Sequence, residues 1–161
     1  MLMRAAGELR PPLRAATYQT LFGLLAASGL RLGEAIGLDR EHVDARHGLV
    51  RVINSKFGKS REVPLDESVM HALDDYARRR DQLCPRPANF AFFVSTAGTR
   101  LLRANVERTF IKLKHQLGLN PRSPRCRPRL HDLRHYADGG VMRPAGLFSL
   151  VRALPVVILS A

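Results

Sequence analysis

The sequence has few of the features that mark a secreted, disulfide-linked or membrane-spanning protein. It contains only two cysteines, Cys84 and Cys126, which are far apart and form no C-x-x-C pair. This usage fits a reducing compartment and predicts neither a disulfide framework nor a zinc site. The first 12 residues lack the apolar core of a secretory signal. No uninterrupted apolar run reaches the length of about 18 residues that a membrane span needs. We therefore expect a cytoplasmic protein without a membrane partner.

Acidic residues are scarce relative to basic ones. The chain of 161 residues has 14 Asp and Glu against 26 Lys and Arg, a formal net charge of +12. A field of this sign attracts polyanions, either nucleic acid or an acidic membrane surface. The excess is concentrated in residues 100–134, where ten basic residues face two acidic ones. A solvated basic face without a binding role is the alternative interpretation of this stretch.

Apolar residues at helical spacing predict a mainly helical domain. Helices are expected over residues 17–28, 31–38, 66–80 and 104–118, and a further one from residue 130. Thr17 and Asp66 are the predicted N-caps of the first and third helices, and Gly118 is expected to end the fourth. The chain length suits one domain with a single core.

Two segments predict a small antiparallel hairpin beside these helices. Residues 48–54 alternate apolar and polar side chains, and residues 61–65 can pair with them across a glycine-containing turn. Pro64 places the second strand at a sheet edge, because proline cannot donate to a ladder. Residues 90–94 are expected to form a short strand or a buried extended segment. The predicted fold class is therefore α+β, with a β-hairpin or small sheet at one edge of a helical domain.

Three motifs combine basic residues with a recognisable spacing. They are S-G-L-R-L-G-E at residues 28–34, S-K-F-G-K-S-R-E-V-P-L at residues 55–65, and H-D-L-R-H at residues 131–135. In this order they resemble the first arginine box, the β-hairpin lysine motif and the second box of the tyrosine recombinase (phage integrase) family. One box alone is a weak signal, but three in order over residues 17–137 are specific. The resemblance implies the catalytic domain of a DNA-breaking and rejoining enzyme for integration and recombination.

The chemistry of phosphodiester cleavage explains why these residue types are needed. Negative charge grows on the non-bridging phosphate oxygens, and a guanidinium offers them two parallel donors at any working pH. Arg31 and Arg134 are therefore predicted to clamp one phosphate from two sides. The resemblance implies that Lys56 protonates the departing 5′ hydroxyl, with Lys59 as a substitute. His131 is predicted to hydrogen-bond the phosphate and to shuttle protons.

Further residues are expected to support this site. Glu34 follows Arg31 by one helical turn and is predicted to orient it, while His135 resembles a supporting position of the family. The residues predicted to contact double-stranded DNA are Lys59, Arg100, Arg103, Arg125, Arg127 and Arg129. No cofactor and no metal is expected, because the family conserves bond energy in a covalent phosphotyrosine. Self-association on DNA is a further expectation.

The sequence departs from the family after the second box. The family's nucleophilic tyrosine lies well beyond this box, whereas no tyrosine follows Tyr136 here. The third box is absent as well. We therefore expect residues 1–137 to form an incomplete catalytic domain, truncated before the nucleophile and inactive alone. Residues 138–161 are expected to be an atypical, frameshifted tail.

Three alternatives remain from the sequence alone. The chain could be a basic, non-catalytic DNA-binding remnant. Residues 131–135 could instead be a metal-site helix, since His131 and His135 share one face, although Arg134 would repel a dication. The third alternative is a membrane anchor over residues 145–161, a stretch that an arginine and a proline interrupt.

Overall fold

A computed structural model describes residues 2–53, 60–119, 130 and 133. The predictions for Lys56, Lys59, His131, Arg134 and His135 concern residues outside this part of the chain. The helices are α1 (Leu2–Gly7), α2 (Pro12–Ser28), α3 (Leu32–Gly37), α4 (Glu67–Leu83) and α5 (Arg103–Gln116), with a 3-10 turn at Arg40–His42. The strands are β1 (Val43–Asp44), β2 (Leu49–Val52) and β3 (Arg61–Pro64).

Helix α2 forms the centre of the domain. Its side chains Leu21, Phe22, Leu24 and Leu25 are all buried, which requires partners on several faces. Helices α1 and α4 provide most of these contacts, and Phe22 also meets Phe110 of α5 edge to face at 6.0 Å. Burying each such side chain stabilises the fold by about 1.5–3 kcal/mol. Helix α1 was not predicted from the sequence.

The prediction that Thr17 caps this helix is wrong. Helix α2 begins five residues earlier at Pro12, where a proline is tolerated because the first-turn amides lack intrahelical partners anyway. Thr17 lies inside the helix and is buried. Its hydroxyl donates to the carbonyl oxygen of Val94 at 3.1 Å and lies 3.2 Å from the Tyr76 hydroxyl.

The predicted hairpin is confirmed and belongs to a three-stranded antiparallel sheet in the order β1-β2-β3. Val50 pairs with Val63, and Val52 pairs with Arg61. Because β3 is the last strand in this order, it is an edge strand of the described sheet, and it contains Pro64, as predicted. Val50 and Val52 are buried, whereas Arg51 between them is on the opposite face. The two-residue strand β1 was not predicted.

Helix α4 confirms its predicted cap, since the Asp66 carboxylate accepts a 2.9 Å hydrogen bond from the Ser68 amide. The predicted segment at residues 90–94 is mostly buried and has isolated β-bridges at Ala91 and Val94, but the chain bends at residues 92 and 93 and forms no regular strand. It is attached to α4 by hydrogen bonds from the Val94 amide to the Tyr76 hydroxyl (3.1 Å) and from Arg80 to the Phe92 carbonyl (2.9 Å). The predicted burial of this segment is therefore confirmed, whereas a short strand or a continuously extended segment is not formed.

Helix α5 confirms the helix predicted at residues 104–118, and it buries Val106, Phe110 and Leu113 in the core. Gly118 lies just beyond its end with a φ of 66°, a left-handed conformation that glycine adopts without strain. Leu133, in the middle of the H-D-L-R-H motif, is also buried in this core. The predicted α+β class is confirmed. None of the helices described has the length and apolar character needed to cross a membrane.

Candidate functional site

Arg31 lies at the surface between α2 and α3. The chain turns at Gly29, whose φ of 64° is left-handed, and Leu30 is then buried in the core. This anchoring leaves Arg31 as the residue that precedes α3, with its side chain 49% exposed. The predicted helix at residues 31–38 is thus confirmed as α3, with Arg31 at its N-cap position. The core therefore determines where the guanidinium emerges.

Glu34 holds Arg31 from within the first turn of α3. Its carboxylate, only 8% exposed, accepts from the Arg31 backbone amide at 2.8 Å and from Nη1 of the same residue at 3.2 Å. The first contact satisfies an amide that no helical carbonyl can reach. The second fixes one side of the guanidinium. Within the part of the chain described, Nε and Nη2 of Arg31 have no protein partner.

Arg61 of β3 binds the same carboxylate from the other side. Its Nη1 and Nη2 atoms donate to the two oxygens of Glu34 at 3.0 and 2.9 Å, a bidentate pair between residues 27 positions apart. Sequence reasoning missed Arg61 as a functional candidate. The only signal was its position in the hairpin motif, immediately before E-V-P-L.

The charges of this cluster stabilise one another. Burial raises the pKa of Glu34, but hydrogen bonds from Arg61 and from the Arg31 amide outweigh it, so the pKa is lowered overall. Glu34 in turn raises the pKa of Arg61 through its hydrogen bonds. One carboxylate thus lies between two guanidinium groups, and the cluster carries a net positive charge. Such a surface favours an anion.

Arg103 lies close to this cluster because α5 packs against α3. A Cβ atom placed on Gly33 would be 3.1 Å from Nη2 of Arg103, so the absence of a side chain at Gly33 leaves room for this guanidinium. Arg103 is more than half exposed and its Nη1 lies 3.5 Å from the Glu107 carboxylate. The structure therefore brings Arg31, Glu34 and Arg103 to one region of α3.

Arg100 has a different environment. Its Nη1 donates to the carbonyl oxygens of Ile36 and Leu38 at 2.9 and 3.2 Å, and its Nη2 bonds the Asp39 carboxylate. These contacts satisfy carbonyl groups at the end of α3. They give Arg100 a structural role, and its predicted contact with DNA stays a prediction.

The remaining candidates lie outside the described residues: Lys56, Lys59, Arg125, Arg127, Arg129, His131, Arg134 and His135. Their convergence on one phosphate with Arg31 stays a prediction. Two residues adjacent to these arginines in the sequence are described. Leu30, which precedes Arg31, and Leu133, which precedes Arg134, are both buried in the same hydrophobic core. In residues 2–53 and 60–119, no group of three His, Cys, Asp or Glu side chains could hold a metal ion.

Sequence comparison identifies relatives over most of the chain. The phage integrase family profile matches residues 2–139. A protein of Sinorhizobium fredii named as an integrase/recombinase, y4rB, is 45% identical over 140 residues, which cover 83% of this chain and 45% of that protein. Tyrosine recombinase XerC of Pseudomonas aeruginosa PAO1 is 32% identical over 136 residues, 84% of this chain and 42% of XerC. The chain thus spans less than half the length of these relatives.

Solved structures give the same result at the level of the fold. The crystal structure of XerA recombinase matches with a TM-score of 0.67 and 26% identity, over 86% of this chain and 48% of XerA. A lambda integrase dimer bound to a COC′ core site matches with a TM-score of 0.62 and 20% identity, over 84% of this chain and 36% of that one, a likeness in fold alone. From the family match, the relatives and the α+β architecture together, the chain belongs to the phage integrase family of tyrosine recombinases, with the fold of their catalytic domain.

Proposed function

We propose that this chain binds double-stranded DNA and supplies the phosphate-binding part of a site-specific recombinase catalytic domain. The observation that carries the proposal is Arg31, which Glu34 holds at the surface on one side while Nε and Nη2 lack partners in the described part of the chain. Two parallel donors in this state match two oxygens of a phosphate. DNA-bound relatives of the same fold, such as XerH on its difH substrate, support the choice of ligand.

The chemical role of Arg31 is electrostatic. When a tyrosine hydroxyl attacks the phosphorus and gives up its proton, the new P–O bond forms as the bond to the 5′ oxygen breaks, negative charge develops on the non-bridging oxygens, and the departing 5′ oxygen takes up a proton. Arg31 and Arg134 would stabilise that charge, Lys56 would deliver the proton, and His131 would bond the phosphate. Glu34 and His135 would support these groups. We include all of them in the proposed site.

The proposed DNA-binding surface extends beyond the scissile phosphate. Among the residues that the structure describes, we assign Arg103, beside α3, to this surface. Lys59, Arg125, Arg127 and Arg129 are assigned to it from the sequence. The net charge of +12 supports this extension, because neutralising phosphates releases counterions. We also propose that the catalytic domain spans residues 1–137, that residues 138–161 lie outside it, and that copies of the chain associate on DNA.

A salt titration of duplex DNA binding tests the proposal. Arg31→Gln should weaken binding about tenfold and reduce the slope of log affinity against log salt by about one, since one phosphate contact is lost. Arg78→Gln is the control, because Arg78 is exposed on α4 and pairs with Asp74 and Asp75 of its own helix. Equal effects of the two substitutions would contradict a phosphate contact at Arg31.

The alternative function, a DNA-binding protein without chemistry, is favoured by one observation. Tyr18 and Tyr76 are buried, 5% and 1% exposed, so neither can attack DNA. The third tyrosine, Tyr136, lies outside the described residues. We therefore propose that the 161-residue chain alone forms no covalent link to a nicked duplex, which denaturing electrophoresis would test. An adduct that disappears in Tyr136→Phe would overturn this proposal and the alternative function together.

A further inference from the structure

We propose that Arg61 is a positioning residue that couples the β2–β3 hairpin to Arg31 through the shared Glu34 carboxylate. The proposal rests on the proposed function. Lys56 belongs to the segment between the two strands, and Arg31 precedes α3, so the link joins the two chain regions that carry the predicted proton donor and the phosphate ligand. Holding two reacting groups in one geometry is a major source of catalytic rate.

The geometry of the Glu34 carboxylate carries this inference. Oε1 accepts from Nη1 of Arg31 and Nη1 of Arg61 at 3.2 and 3.0 Å, and Oε2 accepts from the Arg31 amide and Nη2 of Arg61 at 2.8 and 2.9 Å. Each oxygen of Glu34 therefore accepts one hydrogen bond from Arg31, which precedes α3, and one from Arg61 of β3. A bidentate pair fixes orientation as well as distance, which a single point contact does not.

The edge position of β3 makes this link important. Of its four residues only Val63 is partly buried, whereas Arg61, Glu62 and Pro64 are exposed. The strand pairs with β2 on one side, and packing alone therefore fixes it weakly against the rest of the domain. The Arg61–Glu34 pair attaches its first residue directly to α3. We expect the hairpin and Arg31 to keep their relative position because of it.

Removal of Arg61 should also change Arg31 itself. The Glu34 carboxylate is 8% exposed, and a poorly solvated anion requires compensating donors. Without Arg61, Arg31 would be the remaining cation among the described contacts of Glu34. Its guanidinium would then be drawn more strongly to Glu34 and be less available to a phosphate.

Arg51 provides a matched control on the same sheet. It lies on β2, its side chain is 42% exposed against 40% for Arg61, and it also pairs with carboxylates, at 2.8 Å from Asp44 and 3.3 Å from Glu62. Arg51→Gln removes the same charge from the same hairpin without touching Glu34. Any general effect of charge or sheet stability therefore appears in both variants.

The test is a double-mutant cycle on duplex DNA affinity at fixed salt. We expect Arg61→Gln to weaken binding about tenfold and Arg51→Gln about twofold. If Arg61 acts through Arg31, adding Arg61→Gln to Arg31→Gln should cause no further loss, because coupled residues are not additive. Additive losses, or equal losses in Arg61→Gln and Arg51→Gln, would overturn the proposal. An unaffected Arg31→Gln would instead refute the proposed function.

Amide hydrogen exchange provides a readout that does not require DNA. Arg61→Gln should raise exchange in β3 and at the start of α3 together, whereas Arg51→Gln should raise it in the sheet alone. Unchanged exchange in α3 would overturn the coupling.

Arg61→Lys keeps the charge but not the bidentate geometry, and it replaces Arg61→Gln in the binding test if Arg61→Gln does not fold. It should retain stability yet still weaken DNA binding more than Arg51→Gln, and full wild-type affinity would contradict the proposal.

Discussion

Two arginine networks in this domain, one buried and one at the surface, show how the same side chain can serve stability or binding. Arg80 is 3% exposed, and all three of its nitrogen atoms donate, to the Phe92 carbonyl and to Asp81. Its guanidinium also lies over the rings of Tyr76 and Phe92 at 5.8 and 5.3 Å. Arg31 is half exposed and bonds Glu34 through one side chain nitrogen. An arginine whose three nitrogen atoms are all bonded within the protein holds the fold, whereas an exposed one with unbonded nitrogen atoms can bind an anion.

The same distinction separates Arg100 from Arg103. Arg100 forms an isolated β-bridge with Val94, and its side chain bonds two carbonyl groups and a carboxylate at the end of α3. Arg103, three residues later, is more than half exposed, and among the described residues its guanidinium makes one long hydrogen bond, of 3.5 Å, to Glu107. Both were predicted to contact DNA from their charge alone. The contacts make Arg103 the better candidate of the two.

The largest expected effect is on the buried network. Arg80→Ala should lower the free energy of unfolding by about 3 kcal/mol, because the Phe92 carbonyl loses its charged donor and two aromatic rings lose their packing partner. Chemical denaturation would measure the loss. DNA affinity, measured where the variant is folded, should change less than about twofold, because the buried Arg80 guanidinium is bonded to Asp81 and Phe92 and makes no phosphate contact. A large loss of affinity without loss of stability would break the distinction between the two networks.

A smaller loss is expected from Thr17→Val, which removes a buried hydroxyl while keeping the shape of the side chain. The Val94 carbonyl and the Tyr76 hydroxyl would each lose a partner, so the free energy of unfolding should fall by about 2 kcal/mol. Thermal unfolding would measure this change. Ser68→Ala, which removes an exposed hydroxyl bonded to Asp66, is the control and should have a much smaller effect.

The surface network should be visible in the pH dependence of stability. The pKa of Glu34 is lowered in the folded protein, so its contribution is fully present above the unfolded value of about 4.3 and is lost as pH falls through the folded value. Arg61→Gln removes one cause of the lowering, and its melting temperature should fall less steeply than that of the wild type between about pH 5 and pH 3.

Other carboxylates with a lowered pKa, Asp44, Asp66 and Asp81, titrate in the same acidic range. Their contribution should be the same in wild type and Arg61→Gln, so the difference between the two curves isolates Glu34. Arg51→Gln should keep the Glu34 part of the slope. Identical curves for wild type and Arg61→Gln would show that Arg61 has no influence on Glu34.

The smallest effect is expected at Gly33. In Gly33→Ala the added Cβ would be 3.1 Å from Nη2 of Arg103, the flexible end of a long side chain, which can move at little cost. Alanine favours the helix over glycine, so the melting temperature should rise slightly, corresponding to about 0.5 kcal/mol. If Arg103 contacts DNA, its displacement should also reduce affinity, by about twofold. A drop in melting temperature would show that Arg103 is held rigidly over α3.

The sequence predicted those parts of the fold that local interactions control. The Asp66 cap, the end of α5 at Gly118 and the pairing of residues 48–54 with 61–65 all depend on residues close in the chain. The start of α2 was missed because Thr17 looks like a cap. Its real partners, Tyr76 and Val94, are 59 and 77 residues away.

For the site, the sequence by itself determined the family, through three basic motifs in order, and the choice of Arg31 and Glu34 as partners one helical turn apart. Only the tertiary structure decided that Arg61 completes this cluster, that Arg103 lies over Gly33, and that Arg100 is committed to the end of α3. The reason is physical: an arginine's charge is written in the sequence, but which of its donors are satisfied depends on elements brought together by folding.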